Sequence, residues 1–422
     1  MNLMFLSHAH FDLKIFLPIV ILLGISALIL VILTIIKAKF IPVFVVQIFV
    51  GLLFGSFATK NFFAIDNNLN PLMEGLYIIG MGVLLFLSGL DTDFSELKKH
   101  KKEDKSLRIG LLTNILLLIV IVISIGVSFI FTNYMVDKVY GIILLTIILS
   151  STFASIVIPI VHDEGLSHTT IGKIISSYST KAELLSILGL SGIMLSMGIS
   201  HNANAWYLVV VIVALILLYV INKYFKFNIF SKISGGIVHF SVRLIFAVLL
   251  GLMVVCYVSG VEYILGAFLA GMVIKTSNMK EETIHKLEVI GYGIFVPIFF
   301  ILVGVKVGMI MPIQEFIKLE NLTLILIMFV VLVLVKIPFL YLCKWFKLST
   351  IIQTTIFVAC TLIVSIAALE IGVFEVKFTN ALIIASCLTC LIPPILFDIT
   401  KSFGFSKKEN DERITNPVKE TN

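Results

Sequence analysis

The chain has 422 residues, of which 59% are apolar and 13% charged. An ordinary soluble protein carries about twice that share of charge, so the composition excludes a soluble globular enzyme. The 34 phenylalanines exclude a disordered chain, and the solidly apolar runs exclude a β-barrel, whose strands alternate polar and apolar residues. The composition therefore predicts an all-α polytopic membrane protein.

Thirteen apolar runs are candidates for membrane-spanning helices, each of which needs about 20 mostly apolar residues. They are Leu13–Ile36, Phe40–Phe57, Leu72–Leu90, Ile109–Phe131, Val139–Val161, Ile171–Ile199, Trp206–Ile221, Ile237–Val258, Tyr263–Ile274, Val289–Ile310, Leu322–Leu342, Ile351–Ile371 and Phe378–Phe397. The seventh and ninth runs are the shortest. The first is too long for a cleavable signal peptide and is followed by Lys37 and Lys39. We predict a membrane domain over residues 1–403 and a short, disordered cytoplasmic tail over residues 404–422.

The positive charges are unevenly distributed between the two predicted sides of the membrane. With the N-terminus outside, 22 of the 31 lysines and arginines lie in cytoplasmic segments or at the cytoplasmic ends of runs, and 5 lie in external segments or at external ends. This bias follows the positive-inside rule and predicts a cytoplasmic C-terminus. The net charge of +6 therefore reports topology, and it does not indicate a nucleic-acid surface.

The sequence gives no sign of enzymatic or cofactor chemistry. The five cysteines all lie in apolar runs without other metal ligands, and neither an HExxH nor a Gly-x-Ser-x-Gly motif occurs. A cytoplasmic loop with the sequence VHDEGLSH has too few ligands for a metal site. His162 and Asp163 of this loop are instead candidates for pH sensing. We expect no enzyme activity, no cofactor and no metal other than a transported cation.

A few ionisable residues lie deep within the apolar runs, where each costs about 2.5–3.5 kcal/mol. Lys336 lies near the middle of Leu322–Leu342, so we expect it to pair with a carboxylate or to line a hydrated cavity. Glu183 is its natural partner by charge and depth. Three other charged residues lie nearer the ends of their runs and are predicted to be interfacial: Arg243, Lys306 and Glu370.

A polar stripe surrounds Glu183 on its predicted helix. Ser176, Ser179, Glu183 and Ser186 recur at helical spacing on one face, whereas Lys181 points about 160° away from Glu183. The stripe favours a hydrated path to Glu183. The alternative is that these hydroxyls only bond the helix to its neighbours.

Two of the predicted spans have polar interruptions near their middles. Val139–Val161 contains Ser150, Ser151 and Thr152, and Ile351–Ile371 contains Thr361 and Ser365. Discontinuous helices in the two halves of a transporter place helix ends and free carbonyl groups at the membrane midplane, where ions bind.

Four segments in the same order resemble the monovalent cation:proton antiporter-2 family of bacterial sodium/proton and potassium/proton exchangers. They are IPVFVVQIFVGLLFG (41–55), GVLLFLSGLDTDFSELKK (82–99), LSSTFASIVIPIVHDEGLSHTTIGK (149–173) and LGAFLAGMVI (265–274) with the following KLEVIGYGIFVPIFFILVG (286–304). The resemblance implies inverted repeats with two crossing broken helices, a core of six helices, a separate dimerisation domain, and alternating access in the bacterial cell membrane.

The resemblance also implies which residues form the ion site. Lys336 matches a lysine that pairs with the first residue of an acidic pair, and that pair aligns with Ala182 and Glu183. Because alanine replaces the first acid, Glu183 is expected to bind the transported ion and also to neutralise Lys336. Ser151 and Thr152 are expected to add neutral oxygen ligands, with accessory roles for three further residues: Ser179, Lys181 and Thr361.

The function implied is exchange of Na⁺ or K⁺ for protons by a homodimer, with Glu183 as the shared carboxylate. The Gly-rich and Pro-containing helices are expected to let the core slide against the dimerisation part. The residues concerned are Gly266, Gly271, Gly291, Gly293, Pro297 and Gly304. The alternative is a degenerate membrane sensor or scaffold without coupled transport, which the missing first acid suggests.

Overall fold

The computed structural model describes most of the predicted membrane region. The described residues are 17–36, 42–57, 64–65, 68–91, 104–154, 157–158, 161, 170–197, 240–259, 263–275, 281–310, 312–316, 318–339, 365–366 and 371–402. The predicted span Trp206–Ile221, the tail 404–422, His162, Asp163, Thr361 and Glu370 lie outside them.

The described part of the chain is almost entirely helical. Its helices are α1 (Leu17–Ile36), α2 (Val43–Phe57), α3 (Pro71–Asp91), α4 (Asp104–Ile130), α5 (Lys138–Ser150), α6 (Thr170–Met197), α7 (Phe240–Val258), α8 (Tyr263–Lys275), α9 (Glu281–Ile290), α10 (Val296–Ile310), α11 (Ile313–Phe316), α12 (Leu319–Leu334) and α13 (Val376–Ser402). A π-helical turn, Gly291–Phe295, joins α9 to α10. Two two-residue strands, Ala64–Ile65 and Asn68–Leu69, pair antiparallel before α3.

Several of these helices have the length and composition of membrane spans. Five helical stretches qualify among the described residues: Leu17–Ile36, Pro71–Leu90, Gly110–Ile130, Ser241–Val258 and Glu282–Ile310. The short predicted span at Tyr263–Ile274 is helical over Tyr263–Lys275. The chain is thus an all-α polytopic membrane protein, and the count of thirteen spans stays a prediction.

The helices form groups that pack internally more than against each other. One group contains α2, α3, α7, α8 and α10, a second contains α4, α5 and α6, and α12 packs against α13. Contacts between the groups include those of α6 with α8 and of α2 with α13.

Two glycines on α8 and α10 have a packing role that the sequence did not predict. A Cβ atom on Gly304 of α10 would overlap the backbone of α2 at Ile48, and one on Gly271 of α8 would overlap the backbone of α3 at Phe86. Small residues at such positions let membrane helices approach closely. Gly271 and Gly304 therefore hold helices together within one group, and sliding of one group against another stays a prediction.

The loop before α5 pairs with the loop before α13. Met135 and Phe374 form an antiparallel bridge, the Val136 N–H donates to the Val373 carbonyl at 2.9 Å, and Gly372 enters this loop with a φ of 69°. Both loops therefore lie at the same end of the molecule, as the predicted topology requires.

Candidate ion-binding site

The interruption predicted in the fifth span is present. Helix α5 ends at Ser150, Ser151 has an extended backbone with ψ of 161°, and helical conformation resumes at Ala154. The hydroxyl groups of Ser150 and Ser151 donate to carbonyls one turn earlier, at 3.2 Å and 2.9 Å. Serine and threonine side chains that bond locally in this way compete with helix hydrogen bonds. The Ser-Ser-Thr sequence thus accounts for a break within a buried helix.

Lys336 lies against the C-terminal end of α5 at this break. Its ammonium group donates to the carbonyls of Ser150 and Ser151 at 3.0 Å and 2.9 Å, and to the Tyr178 hydroxyl at 3.3 Å. These three acceptors match the three N–H donors of an ammonium group. A cation is favoured here because a helix C-terminus carries partial negative charge and unpaired carbonyl groups.

The position of Lys336 in its own helix differs from the prediction. Helix α12 ends at Leu334, and Lys336 lies in the turn that follows. The Lys336 N–H donates to the Val333 carbonyl at 3.1 Å. Pro338 explains this end, because it has no N–H to donate to Leu334 and its ring clashes with a continued helix. Lys336 therefore does not lie in the middle of a continuous helix. It is nevertheless fully buried.

Glu183 lies at the other end of the break. Its Oε2 atom accepts a hydrogen bond from the Ala154 N–H at 3.2 Å and another from the Ser88 hydroxyl of α3 at 2.9 Å. The carboxylate is only 4% exposed. An anion is favoured where a helix begins, because the first N–H groups are unpaired and the helix dipole is positive there. The two charges thus meet the two ends of the interrupted helix.

Most of the polar stripe on α6 faces the protein interior, and Ser176 at its start is half-buried. Ser179, Glu183 and Ser186 are all buried. The Ser186 hydroxyl donates to the Glu183 carbonyl at 2.7 Å, whereas the Ser179 hydroxyl, one turn before Glu183, makes no hydrogen bond within the described part of the chain. A buried hydroxyl without a partner is costly unless a water or an ion satisfies it.

Lys181 points away from Glu183, also as predicted. Its ammonium group donates to three oxygens of α4: the carbonyl of Gly110 at 3.3 Å, the Thr113 hydroxyl at 2.7 Å and the Asn114 amide oxygen at 2.8 Å. Lys181 therefore joins α6 to α4 on the face opposite the site.

The structure brings together most of the residues predicted for the site. Ser151 and Thr152 are buried in the unwound segment between the bonds made by Lys336 and Glu183. Two neighbours, Ser88 and Tyr178, were not predicted. Ser88 occurs in an apolar run with no polar periodicity, and Tyr178 reads as an aromatic core residue. The described residues contain no cluster of metal-ligating side chains.

Lys306 has a partner that the sequence did not predict. Its ammonium group lies 2.9 Å from Glu74 Oε1 and 3.9 Å from the centre of the Tyr77 ring, both on α3. The Lys306 side chain is 17% exposed. This pair stabilises the contact between α3 and α10, away from the broken helix.

Comparison with known proteins shows the class of protein that has this fold. The model of the transmembrane sodium/hydrogen exchanger family matches residues 23–398, which is most of the chain. The chain belongs to this family, and the resemblance to cation:proton antiporters is confirmed.

Individual relatives are similar over most of this chain. A Bacillus subtilis (strain 168) protein named "Putative Na(+)/H(+) antiporter YjbQ" is 29% identical over 85% of this chain, and the match spans 58% of YjbQ. The Na⁺/H⁺ antiporter of Enterococcus hirae is 26% identical over 89% of this chain and 96% of its own length. The Na⁺/H⁺-K⁺ antiporter GerN of Bacillus cereus is 23% identical over 56% of this chain and 59% of its own length.

Proposed function

We propose that this protein exchanges a monovalent cation, Na⁺ or K⁺, for protons across the cell membrane, with Glu183 as the carboxylate that both ions share. The observation that carries the proposal is a buried carboxylate held at the break of a helix by the Ala154 N–H and the Ser88 hydroxyl. The names of the relatives support this class of transport.

The chemistry of exchange follows from competition for one buried charge. Desolvation makes an ionised carboxylate costly unless a counter-charge lies near it. A proton or a monovalent cation can each neutralise Glu183, but one excludes the other. Because the site then crosses the membrane with only one of the two ions, transport of the cation is coupled to transport of the proton in the opposite direction.

The neighbouring groups fit a cation as the substrate. Hard cations prefer oxygen ligands, and Ser151, Thr152 and Ser179 offer hydroxyl or carbonyl oxygens close in sequence to the break or to Glu183. The Ser179 hydroxyl makes no hydrogen bond to the described residues, so a bound cation or its water would satisfy it. Lys336 lies at the other end of the break, where its ammonium group donates to the carbonyls of Ser150 and Ser151.

The grouping of the helices supports alternating access. In this proposal the group containing α5 and α6 carries the ion and moves against the group fastened by the α2–α10 and α3–α8 contacts. The group containing α2, α3, α8 and α10 would then form the interface of a homodimer in the cell membrane.

The test is exchange by purified protein in proteoliposomes, followed with ²²Na⁺ or ⁸⁶Rb⁺ and an internal pH dye. Glu183→Gln keeps the side-chain volume but removes the titratable charge, so we expect cation-dependent proton movement to fall to the level of empty liposomes. Glu315→Gln is the control, because Glu315 lies outside the site and pairs with Lys318 on the surface. Exchange by Glu183→Gln at the wild-type rate would refute the assignment.

Ala182 favours a second candidate function, a membrane sensor or scaffold without coupled transport, because the acid expected from the family pattern is missing there. This candidate predicts that wild-type protein gives no cation-dependent proton flux between about pH 6 and pH 9. The same proteoliposome assay therefore separates the two functions.

A further inference from the structure

Tyr178 contacts both partners at the C-terminal end of α5. It is fully buried on α6, and its hydroxyl donates to the Ser150 carbonyl at 3.3 Å and accepts from the Lys336 ammonium at 3.3 Å. The edge of its ring packs against Phe339 with the ring centres 4.6 Å apart. The Tyr178 hydroxyl, the Lys336 ammonium and the Ser150 carbonyl thus form a small hydrogen-bonded cluster, called the cage below.

Tyr178 occupies the α6 face on which Ala182 also lies. The two residues are four positions apart, so their side chains point in the same direction from one helix. Alanine cannot accept a hydrogen bond, and Ala182 is buried. The phenol of Tyr178 is therefore the polar group that this face of α6 offers to Lys336.

We propose that Tyr178 is a positioning residue that fixes Lys336 and the Ser150 carbonyl, and through them the unwound segment 151–153 beside Glu183. This inference rests on the proposed function, because it assigns Tyr178 to the same ion site. Only three residues separate the carbonyl of Ser150 from Ala154, whose N–H binds Glu183. A shift at the cage moves the oxygens of Ser151 and Thr152 without any contact between Tyr178 and the cation.

The experiment measures cation affinity as the stabilisation of purified protein against thermal unfolding over a series of Na⁺ and K⁺ concentrations. Tyr178→Phe removes the hydroxyl and keeps the ring that packs against Phe339. We expect the apparent Kd for the cation to rise about tenfold, since a hydrogen bond to a charged group is lost. Tyr140→Phe is the matched control, because the Tyr140 hydroxyl donates to the Ser196 carbonyl at 3.1 Å and also links α5 to α6, away from the break. We expect Tyr140→Phe to have the same apparent Kd for the cation as the wild-type protein.

A second pair of variants separates positioning through Lys336 from a loss of packing. In a Lys336→Met background the hydroxyl has lost its charged partner and keeps only its neutral hydrogen bond to the Ser150 carbonyl, so adding Tyr178→Phe is expected to raise the Kd by much less than tenfold. A tenfold loss in that background, or an unchanged Kd for Tyr178→Phe alone, would overturn the proposal. If Tyr178→Phe alone does not fold, the proposal requires the double variant to fold as Lys336→Met does, and a double variant that also fails to fold overturns it. Wild-type protein that gains no stability from either cation would instead refute the proposed function.

Discussion

At the scale of single residues, the two buried charges of the site are explained by the ends of one interrupted helix. Lys336 meets the carbonyls of Ser150 and Ser151, and Glu183 meets the N–H of Ala154. Depth within apolar runs was enough to select both charges as candidates for the site, and both are buried. Their partners could not be predicted, since the choice of Ser88 and Tyr178 depends on how separate helices pack.

Ser179 provides a residue-level prediction about ligand binding. Its hydroxyl bonds none of the described residues, so Ser179→Ala is expected to leave the unfolding temperature unchanged within about 2 °C. If the hydroxyl binds the cation or its water, the same change raises the KM for the cation several-fold. Both quantities are measured on one preparation, by thermal unfolding in detergent and by exchange in proteoliposomes.

Ser186→Ala is the comparison for Ser179→Ala. The Ser186 hydroxyl lies on the same stripe but donates to the Glu183 carbonyl within its own helix at 2.7 Å. We expect Ser186→Ala to leave the KM unchanged. A lower unfolding temperature with an unchanged KM for Ser179→Ala would show that its hydroxyl has only a structural role.

At the scale of elements, the sequence predicted the break in the fifth span more reliably than the end of α12. The Ser-Ser-Thr segment interrupts an apolar run visibly, and the helix ends there. The apolar run around Lys336 continues past Pro338, so hydropathy predicted an unbroken helix where the backbone forms a turn over residues 335–337. The close contacts at Gly271 and Gly304 were not predicted either, because the sequence does not show which helix packs against a glycine.

The crossing of α2 and α10 gives a prediction about stability. Gly304→Ala places a methyl group into the α2 backbone at Ile48, so it is expected to destabilise the protein by about 1–3 kcal/mol. Gly126→Ala is the control, because a Cβ atom on Gly126 of α4 meets no atom within 4 Å. Alanine favours helix over glycine by about 0.5–1 kcal/mol, so this variant is expected to be unchanged or more stable.

The measurement for both glycine variants is the unfolding temperature of detergent-solubilised protein. Opposite signs for Gly304→Ala and Gly126→Ala support the close contact. Equal effects of the two substitutions would contradict it.

At the scale of the whole molecule, composition and charge bias predicted the protein class and its topology, and the family match confirms the class. The pairing of the loops before α5 and α13 agrees with the predicted topology. The division into packing groups could not be read from the chain, because it depends on contacts between helices far apart in sequence.

Cysteine labelling tests the predicted orientation. Val136 and Val376 are exposed in or beside the two paired loops, whereas Glu282 is exposed at the start of α9. We expect a membrane-impermeant maleimide to label Val136→Cys and Val376→Cys in intact cells, and to label Glu282→Cys only after permeabilisation. Wild-type protein is the control for the native cysteines. Labelling of Glu282→Cys in intact cells would contradict the predicted orientation.

The central claim, that one carboxylate serves both ions, is tested most directly by proton release on cation binding. Purified protein in weakly buffered detergent solution, at a series of pH values, receives Na⁺ or K⁺ while a pH indicator records the protons released. We predict up to one proton released per chain in wild type, with the same concentration dependence as cation binding, and none in Glu183→Gln. Cation binding to the wild-type protein without proton release across the pH range, or undiminished release in Glu183→Gln, would contradict the claim.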